Sequence, residues 1–377
     1  MVEQSNVPLR VAVDATSLLG VPTGVGVFTE SLIDALTLRS DLAVSAYAVS
    51  WRTRDQLPEL VPDGVATAQE AMPARPLKWL WSHIDLPRAE RFVGPVDVVH
   101  GTNFTVPPTR RAGRVVTVHD LTCIRYPELC QKDTLRYPAL IARALRRGAI
   151  VHTPSRFVAD EVREHFGVSR DRVVPVHSGI PALPEPDHKG AGEIIDPRRP
   201  YVLSIGTAEP RKDLPGLVAA FGDAAPLIPD LALVLAGPPG WGSEQLEAAI
   251  KGSPARDRII TTGYVGGGVL ASLLAQARAL AYPSVYEGFG FPPLQAMAMG
   301  VPVVTTPAGS LKEIAGDAAC LVGVGDRAAL AEALVSVTTD DAYRSILTTA
   351  GLARAADFTW TATAEGLRAI YGRAAGR

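Results

Sequence analysis

The sequence predicts an α/β protein made of two Rossmann-like domains with a cleft between them, and three observations support this. Short apolar runs, typical of buried parallel strands, alternate with amphipathic segments of helical period throughout the chain. A proline-rich segment without periodicity, 181–200, separates two such series. The length of 377 residues exceeds that of an ordinary single domain.

Each series contains six predicted strands. In the first series they are 9–13, 43–47, 96–100, 115–118, 150–153 and 173–176, with a helix at 25–38. In the second they are 201–205, 232–236, 259–262, 279–282, 303–305 and 320–322, with helices near 214–224, 242–250, 269–277, 292–299 and 328–337. We therefore assign an N-terminal domain (1–180), a linker (181–200), a C-terminal domain (201–357) and a closing helix (358–377).

Composition excludes several classes of protein. A net charge of −2 argues against nucleic acid as the main partner. Cys123, Cys130 and Cys320 are too few and too scattered for a disulfide framework or a zinc site, so we expect buried thiols and no metal. The first six residues are polar, and no run of eighteen apolar residues exists. These features predict a cytoplasmic protein.

The most informative segment is 283–300, which follows the predicted strand 279–282. It places the carboxylate of Glu287 shortly before Pro292, where a helix can begin. Open α/β sheets bind ligands at the carboxyl ends of their strands, and a helix N-terminus favours phosphate. We therefore expect one acid and a row of unpaired backbone N–H groups to face a ligand. An ordinary strand–turn–helix with an incidental acid is the alternative.

This segment resembles the signature of the retaining glycosyltransferases of family 4, which have the GT-B fold. The resemblance is strong over 201–322 and loose over 9–180. It implies that Glu287 contacts the donor sugar and is catalytic. The family has a second Glu eight residues on that grips the nucleotide ribose; here Gln295 stands there, and Gln can still hydrogen-bond hydroxyls.

The resemblance also assigns roles to larger parts of the chain. It implies an acceptor-binding first domain, a donor-nucleotide-binding second domain, and a closing helix that packs back on the first. It further implies that the donor is bound by the backbone of Gly288, Phe289, Gly290 and Phe291.

Two other segments carry candidate phosphate ligands. Arg211 and Lys212 follow the strand 201–205, where adjacent cations can neutralise a diphosphate, and the resemblance implies that role. A solvated charged turn is the alternative. Gly24 and Gly26 follow the first strand, and the resemblance implies a glycine loop near the donor phosphates. A lone Gly-x-Gly is weak, and a tight turn explains it nearly as well.

His119 ends the strand 115–118. A lone histidine there is often a packed core residue, whereas the resemblance implies a catalytic contact with the donor sugar and its developing charge. His100 and Asn103 lie at another strand end and could shape the acceptor site. Tyr264 and Val265 resemble the family segment that frames the nucleotide base, with burial of an amphipathic tyrosine as the alternative.

Together these features predict a retaining glycosyltransferase that moves a hexose from a nucleotide-diphosphate sugar to a glycan or lipid-linked acceptor without a metal. The sequence of residues 288–293 resembles that of bacterial mannosyltransferases, which favours GDP-mannose as the donor. Nucleotide sugars of glucose, rhamnose or N-acetylglucosamine remain alternative donors. The alternatives are a sugar-nucleotide epimerase of the same architecture and a catalytically silent sugar-nucleotide-binding module.

The segment 135–147 is locally basic, with apolar residues between Arg143, Arg146 and Arg147. Such a segment could lie on the inner face of an anionic membrane and meet a lipid-linked acceptor. An ordinary surface helix is the more economical interpretation.

Overall fold

A computed structural model describes residues 7–20, 23–51, 53–68 and 70–377. The polar residues 1–6, used above in predicting a cytoplasmic protein, lie outside the described residues. The chain divides into two compact units: residues 1–181 with 359–377, and residues 182–358. Among the described residues, no helix combines the length and the apolar character needed to cross a membrane.

The strands and helices follow one another in alternation. The strands are β1 (Leu9–Asp14), β2 (Leu42–Tyr47), β3 (Ala66–Thr67), β4 (Val98–Gly101), β5 (Gly113–Thr117), β6 (Ile150–Thr153), β7 (Val173–Pro175), β8 (Tyr201–Ile205), β9 (Ala232–Ala236), β10 (Ile259–Gly263), β11 (Ala279–Tyr282), β12 (Val303–Thr305) and β13 (Cys320–Leu321). The helices are α1 (Gly24–Thr37), α2 (Ala74–His83), α3 (Glu90–Val93), α4 (Thr122–Arg125), α5 (Tyr137–Arg146), α6 (Arg156–Phe166), α7 (His188–Ile194), α8 (Leu214–Ala224), α9 (Ser243–Gly252), α10 (Gly267–Gln276), α11 (Phe291–Ala298), α12 (Leu311–Ala315), α13 (Arg327–Thr339), α14 (Asp341–Ala355) and α15 (Trp360–Ala374).

Each unit contains one parallel sheet. The order in the first unit is β3-β2-β1-β4-β5-β6-β7, and in the second it is β10-β9-β8-β11-β12-β13. The strand order reverses between β1 and β4 in one sheet and between β8 and β11 in the other. Ligands of open α/β sheets bind outside the carboxyl ends of the strands at such a reversal. In the second sheet this reversal lies between β8 and β11, the strands that precede the segment of Arg211 and Lys212 and the segment of Glu287.

Helix packing onto the second sheet explains why its strands are apolar on both faces. All five residues of β9 are buried, and Leu217, Phe221 and Leu334 from α8 and α13 pack into the same core as Leu233. A strand buried on both sides has no polar alternation, which is why it appears in the sequence as a continuous apolar run.

The segment 181–200, which we expected as a linker, lies within the second unit from residue 182 onward and contains a helix. Residues 188–194 form α7, whose N-terminus is capped by the Asp187 side chain accepting from the backbone N–H of Gly190. Ala191 and Ile195 are buried, and the Asp187 backbone N–H donates to the carbonyl of Gly268 in the first turn of α10. The flanking prolines concealed a helix too short to show a clear period.

The closing helix α15 is part of the first unit, where a chain of buried hydrogen bonds fastens it. The carbonyl of Val176 can only accept, so Nε2 of His152 (3.1 Å away) carries a proton. In the neutral ring, Nδ1 then accepts from the Thr117 hydroxyl at 2.9 Å. His100 Nε2 donates to that hydroxyl and His100 Nδ1 accepts from the Tyr371 hydroxyl, both at 2.8 Å. Every link has one donor and one acceptor.

This arrangement corrects the suggestion that His100 shapes an acceptor site. His100 is fully buried, both ring nitrogens are occupied, and burial lowers its pKa well below 6.5, so it is a neutral core residue. Asn103 is half-buried in the following turn.

Candidate donor-binding site

Two segments meet where the strand order of the second sheet reverses. After β8 the chain turns back through a short 3-10 helix, Pro210–Lys212, which presents Arg211 and Lys212. After β11 it passes through residues 283–290 and reaches α11, carrying Glu287 on the way. Because β8 and β11 are hydrogen-bonded neighbours, the cations and the acid come together.

The resulting cluster is compact and nearly enclosed. One oxygen of Glu287 lies 2.6 Å from Arg211 Nη1, and the other lies 2.5 Å from Lys212 Nζ. Arg211 also contacts Glu209 at 3.2 Å, and Lys212 Nζ donates to the hydroxyl of Tyr282. The side chains of Glu287, Lys212 and Arg211 are 8%, 12% and 16% exposed, so water screens these charges little.

The cluster holds its carboxylate firmly in the ionised form. Burial raises the pKa of the Glu287 carboxyl, but the charges of Arg211 and Lys212 outweigh burial and bring that pKa from 4.5 to about 2. Burial lowers the pKa of Lys212, and the carboxylate opposes that effect. The acid expected to contact a sugar thus neutralises the two cations expected to hold a diphosphate.

The backbone of the cluster is fixed from two directions. The N–H of Val285 donates to the carbonyl of Arg211 at 2.9 Å, which joins the two segments. Ser310, after β12, donates from its N–H to the carbonyl of Glu287 at 2.8 Å. A Cβ on Gly309, whose φ is +60°, would lie 2.2 Å from that same oxygen, so no larger residue fits there.

The N-terminus of α11 offers fewer amides than the sequence suggested. Gly290 adopts φ +108° and precedes the helix without a side-chain cap. Among the described residues, the N–H groups of Gly290 and Phe291 have no acceptor. The next two positions, Pro292 and Pro293, have no N–H to give. The expected row of amide donors is therefore a pair, which still suits one phosphate oxygen.

The other residues assigned to the donor lie around this cluster. Gln295 is half-buried in the second turn of α11, eight residues after Glu287. Gly288 and Phe289 belong to the connecting loop, with Phe289 buried against the ring of Phe291 at 5.3 Å. The expected donor contacts of Gln295, Gly288 and Phe289 therefore stay predictions.

Tyr264 and Val265 follow β10, two strands from β8 along the sheet. Tyr264 is 56% exposed, which removes the alternative that it is an ordinary buried tyrosine. An exposed ring at a strand's carboxyl end is available for stacking on a base, so the expected role stays open.

The remaining predicted residues lie in the first unit. Gly24 opens α1, and the Thr23 hydroxyl caps the helix by accepting from the N–H of Gly26. A Cβ at position 26 would lie 2.9 Å from the carbonyl oxygen of Ser17, whereas Gly24 has open space around it. Gly26 is therefore required by packing, and Gly24 is the glycine with room for a ligand beside it.

His119 is well defined chemically. Its Nε2 lies 2.8 Å from the carbonyl of Thr102 and must carry a proton. Burial lowers the pKa of the ring below 6.5, so the neutral form dominates and Nδ1 is a hydrogen-bond acceptor. Phe28 and Phe104 pack edge-on against the ring and fix its plane. The side chain can accept from a hydroxyl group.

The described residues contain no group of three or more His, Cys, Asp or Glu that could hold a metal ion. The basic segment behaves as a surface helix: α5 buries Ile141 and Leu145, and Arg143 and Arg147 both pair with Asp85, at 2.9 and 2.8 Å. That pairing reduces the charge available to an anionic surface, and membrane contact stays a prediction.

Sequence reasoning missed four residues of the cluster: Glu209, Tyr282, Gly309 and Ser310. Tyr282 was taken as the last residue of a buried strand, and its hydroxyl gives no local signal. Gly309 could have been suspected, because a glycine in the loop after a parallel strand can mark a close approach of backbone. That Gly309 approaches the carbonyl of Glu287 could not be predicted, because this contact depends on which strands are neighbours in the sheet.

Comparison with known proteins agrees with this geometry. Residues 189–354 match the family model "Glycosyl transferases group 1", and residues 23–179 match "Glycosyl transferase 4-like domain". O-antigen chain mannosyltransferase B of Escherichia coli is 34% identical over 271 residues, covering 70% of this chain and 71% of that protein.

Solved structures show the same fold over nearly the whole chain. Sucrose-phosphate synthase from Thermosynechococcus elongatus superposes with a TM-score of 0.75 at 18% identity, covering 97% of this chain and 98% of that one. Anabaena HepE in complex with UDP and glucose has a TM-score of 0.71 at 18% identity, covering 96% and 98%. The predicted fold class, α/β with two Rossmann-like domains, is confirmed. The chain belongs to the group 1 glycosyltransferases, with the GT-B fold and a mannosyltransferase-like sequence.

Proposed function

We propose that this enzyme is a retaining mannosyltransferase that uses GDP-mannose and extends a glycan or a lipid-linked acceptor. The observation that carries the proposal is the buried cluster of Arg211, Lys212 and Glu287 at the strand reversal of the second unit. It combines two cations suited to a diphosphate with one acid suited to sugar hydroxyls.

The donor class is supported from two sides. The Escherichia coli relative is an O-antigen chain mannosyltransferase, which favours mannose and a polysaccharide product. The Anabaena structure holds UDP and glucose, so a protein of this fold accommodates a nucleoside diphosphate together with a hexose. We infer that the present chain binds a nucleotide-diphosphate sugar, with GDP-mannose preferred over a UDP sugar.

In the proposed reaction, Arg211, Lys212 and the N–H groups of Gly290 and Phe291 stabilise the diphosphate as it leaves. The charge that develops there is matched by fixed donors, so the enzyme needs no metal for this step. As the cations turn to the phosphates, the Glu287 carboxylate is released to accept hydrogen bonds from the sugar.

Further contacts complete the proposed donor site. Gln295 contacts the ribose through its amide, and Tyr264 and Val265 frame the base. In the first unit, taken by itself, the resemblance leaves Gly24 and His119 as candidate donor ligands: Gly24 has open space beside the N-terminus of α1, and Nδ1 of His119 can accept from a hydroxyl. The departing phosphate oxygen takes the proton of the attacking hydroxyl, which requires no separate enzyme base and keeps the anomeric configuration.

The test begins with donor binding. Thermal unfolding of the purified protein is followed with GDP-mannose, UDP-glucose, GDP and UDP, since a ligand that binds the folded form raises the melting temperature. Stabilisation by GDP and GDP-mannose is expected, together with mannose transfer to a mannose-terminated oligosaccharide and an α-anomeric product by NMR. Absence of stabilisation by every nucleotide would contradict the proposal.

The same assay separates the alternatives. An epimerase would convert the sugar nucleotide without an acceptor, and a silent binding module would be stabilised by the nucleotide without any turnover. Release of GDP that depends on an added acceptor would distinguish a transferase from both.

A further inference from the structure

Tyr282 is the last residue of β11, and its side chain occupies the floor of the cation cluster. The residue is 3% exposed, and its hydroxyl accepts from Lys212 Nζ, which also lies 4.5 Å from the centroid of the ring. The ammonium group is thus held both by an oxygen and by an aromatic ring.

The same ammonium also donates to the Glu287 carboxylate at 2.5 Å, so the tyrosine oxygen and the carboxylate share it. Burial raises the pKa of the Tyr282 phenol well above 10, and the nearby charge of Glu287 raises it further, so the phenol stays protonated. Two acceptors fix the rotation of the ammonium group, which a carboxylate alone would leave free.

The Lys212 ammonium has one N–H group more than the cluster uses. An ammonium has three N–H groups. One is used by Glu287 and one by Tyr282, and the described residues offer no third acceptor. Since two directions are fixed, the third is fixed as well.

We propose that Tyr282 is a positioning residue of the donor site: it holds the Lys212 ammonium so that, when a diphosphate displaces the Glu287 carboxylate, the remaining N–H groups stay directed to the phosphate oxygens of the nucleotide. This rests on the proposed diphosphate role of Lys212. Tyr282 does not contact the sugar or the reacting atoms; it acts through the lysine. Its hydroxyl also solvates a buried cation whose other charged neighbours are Glu287, Arg211 and Glu209.

The test uses Tyr282→Phe, which keeps the ring and removes the oxygen. We expect GDP affinity by calorimetry to fall roughly 10- to 100-fold, as for loss of a hydrogen bond to a charged group. The alkaline limb of the pH–rate profile for GDP-mannose should move to lower pH, because the ammonium loses a stabilising dipole and the pKa of Lys212 falls further. Tyr201→Phe is the matched control: that buried hydroxyl on β8 donates to the carbonyl of Leu273 at 2.6 Å, and neither measurement should change.

A double-mutant cycle with Lys212→Met shows whether Tyr282 acts through the lysine. When Lys212 is already replaced by methionine, Tyr282→Phe should change GDP affinity very little. Equal effects in both backgrounds, or an unchanged affinity and pH profile in Tyr282→Phe, would overturn the positioning role while leaving the transferase assignment intact. Failure of the wild-type protein to bind GDP or UDP would instead overturn the proposed function on which this role rests.

Discussion

The ion cluster of the donor site leads to an unusual prediction for Glu287→Gln. In the ligand-free protein the carboxylate occupies both cations, so a diphosphate must displace it. Glutamine has nearly the same shape but no charge, and it removes the carboxylate that pairs with both Arg211 and Lys212, while Glu209 alone does not balance the two cations. We expect the variant to bind GDP more tightly than the wild type while losing turnover, because the sugar contact is weakened at the same time.

The magnitude follows from the pKa of the carboxyl. A fall from 4.5 to about 2 means that the surroundings favour the charged form by about 3 kcal/mol, at 1.4 kcal/mol per pKa unit. This stability is fully present above the unfolded pKa and is lost as the pH falls through the folded one. Ligand-free Glu287→Gln should therefore be less stable by up to about 3 kcal/mol, and a diphosphate that replaces the lost charge should bind about 10- to 100-fold more tightly.

Isothermal titration with GDP and denaturation by urea measure the two effects on the same samples. Glu161→Gln is the control, because Glu161 is also a buried acid paired with an arginine, at 2.7 Å from Arg125, but lies in the other unit. It should lose stability without gaining affinity. If GDP binds Glu287→Gln with unchanged or weaker affinity, Arg211 and Lys212 do not hold the diphosphate, and the reasoning fails.

Three further predictions concern other parts of the chain. Burial lowers the pKa of His152 from 6.5 to about 4, so the stability that this group contributes is present above the unfolded pKa and falls below it, by about 2 kcal/mol between pH 6.5 and 5. Urea denaturation at both pH values measures this, and His152→Gln should reduce the dependence without abolishing it, because burial also lowers the pKa values of His100 and His119. Gly309→Ala should lower the free energy of unfolding by about 2–4 kcal/mol and reduce turnover by shifting Glu287. Gly325→Ala, at a similar φ but with open space around it, should cost only the backbone strain. Urea denaturation and kcat measure the two effects, and equal losses in the two variants would contradict the prediction. Gln295→Ala should raise the KM for the donor roughly tenfold with little change in kcat, as for loss of one ribose hydrogen bond; an unchanged KM would remove the ribose role.

The strands were the most predictable part of the fold. The structure confirms five strands residue for residue: Ile150–Thr153, Tyr201–Ile205, Ala232–Ala236, Ala279–Tyr282 and Val303–Thr305. They were predictable because strands buried on both faces are continuous apolar runs with sharp ends. The acid and the two cations were predictable for a related reason, since residues directly after such runs lie at the ligand-binding edge of a sheet.

Short or weakly amphipathic elements were missed. The two residues of β3 are too few to form a pattern, and α7 spans seven residues between prolines. Helix α6 carried a signal that was not used: Ser155 precedes it and accepts from the N–H of Val158, the usual contact of an N-cap.

The pairing of side chains within the site could not be predicted at all. Tyr282 contacts Lys212 across seventy positions of sequence, and Glu287 meets Gly309 from another strand end. These contacts depend on β8 and β12 flanking β11, which no local pattern reports. Local sequence therefore predicts which strand ends are polar, and tertiary structure decides which of them touch.

Because α15 completes the first unit, that unit is discontinuous in sequence, and this has a consequence for biosynthesis. During translation, residues 182–358 form an uninterrupted stretch that can fold as it emerges, whereas the earlier residues still lack Tyr371 and its helix. The half of the protein made first is thus finished last. A nascent chain halted before residue 359 should display a protease-sensitive N-terminal half beside a resistant second one.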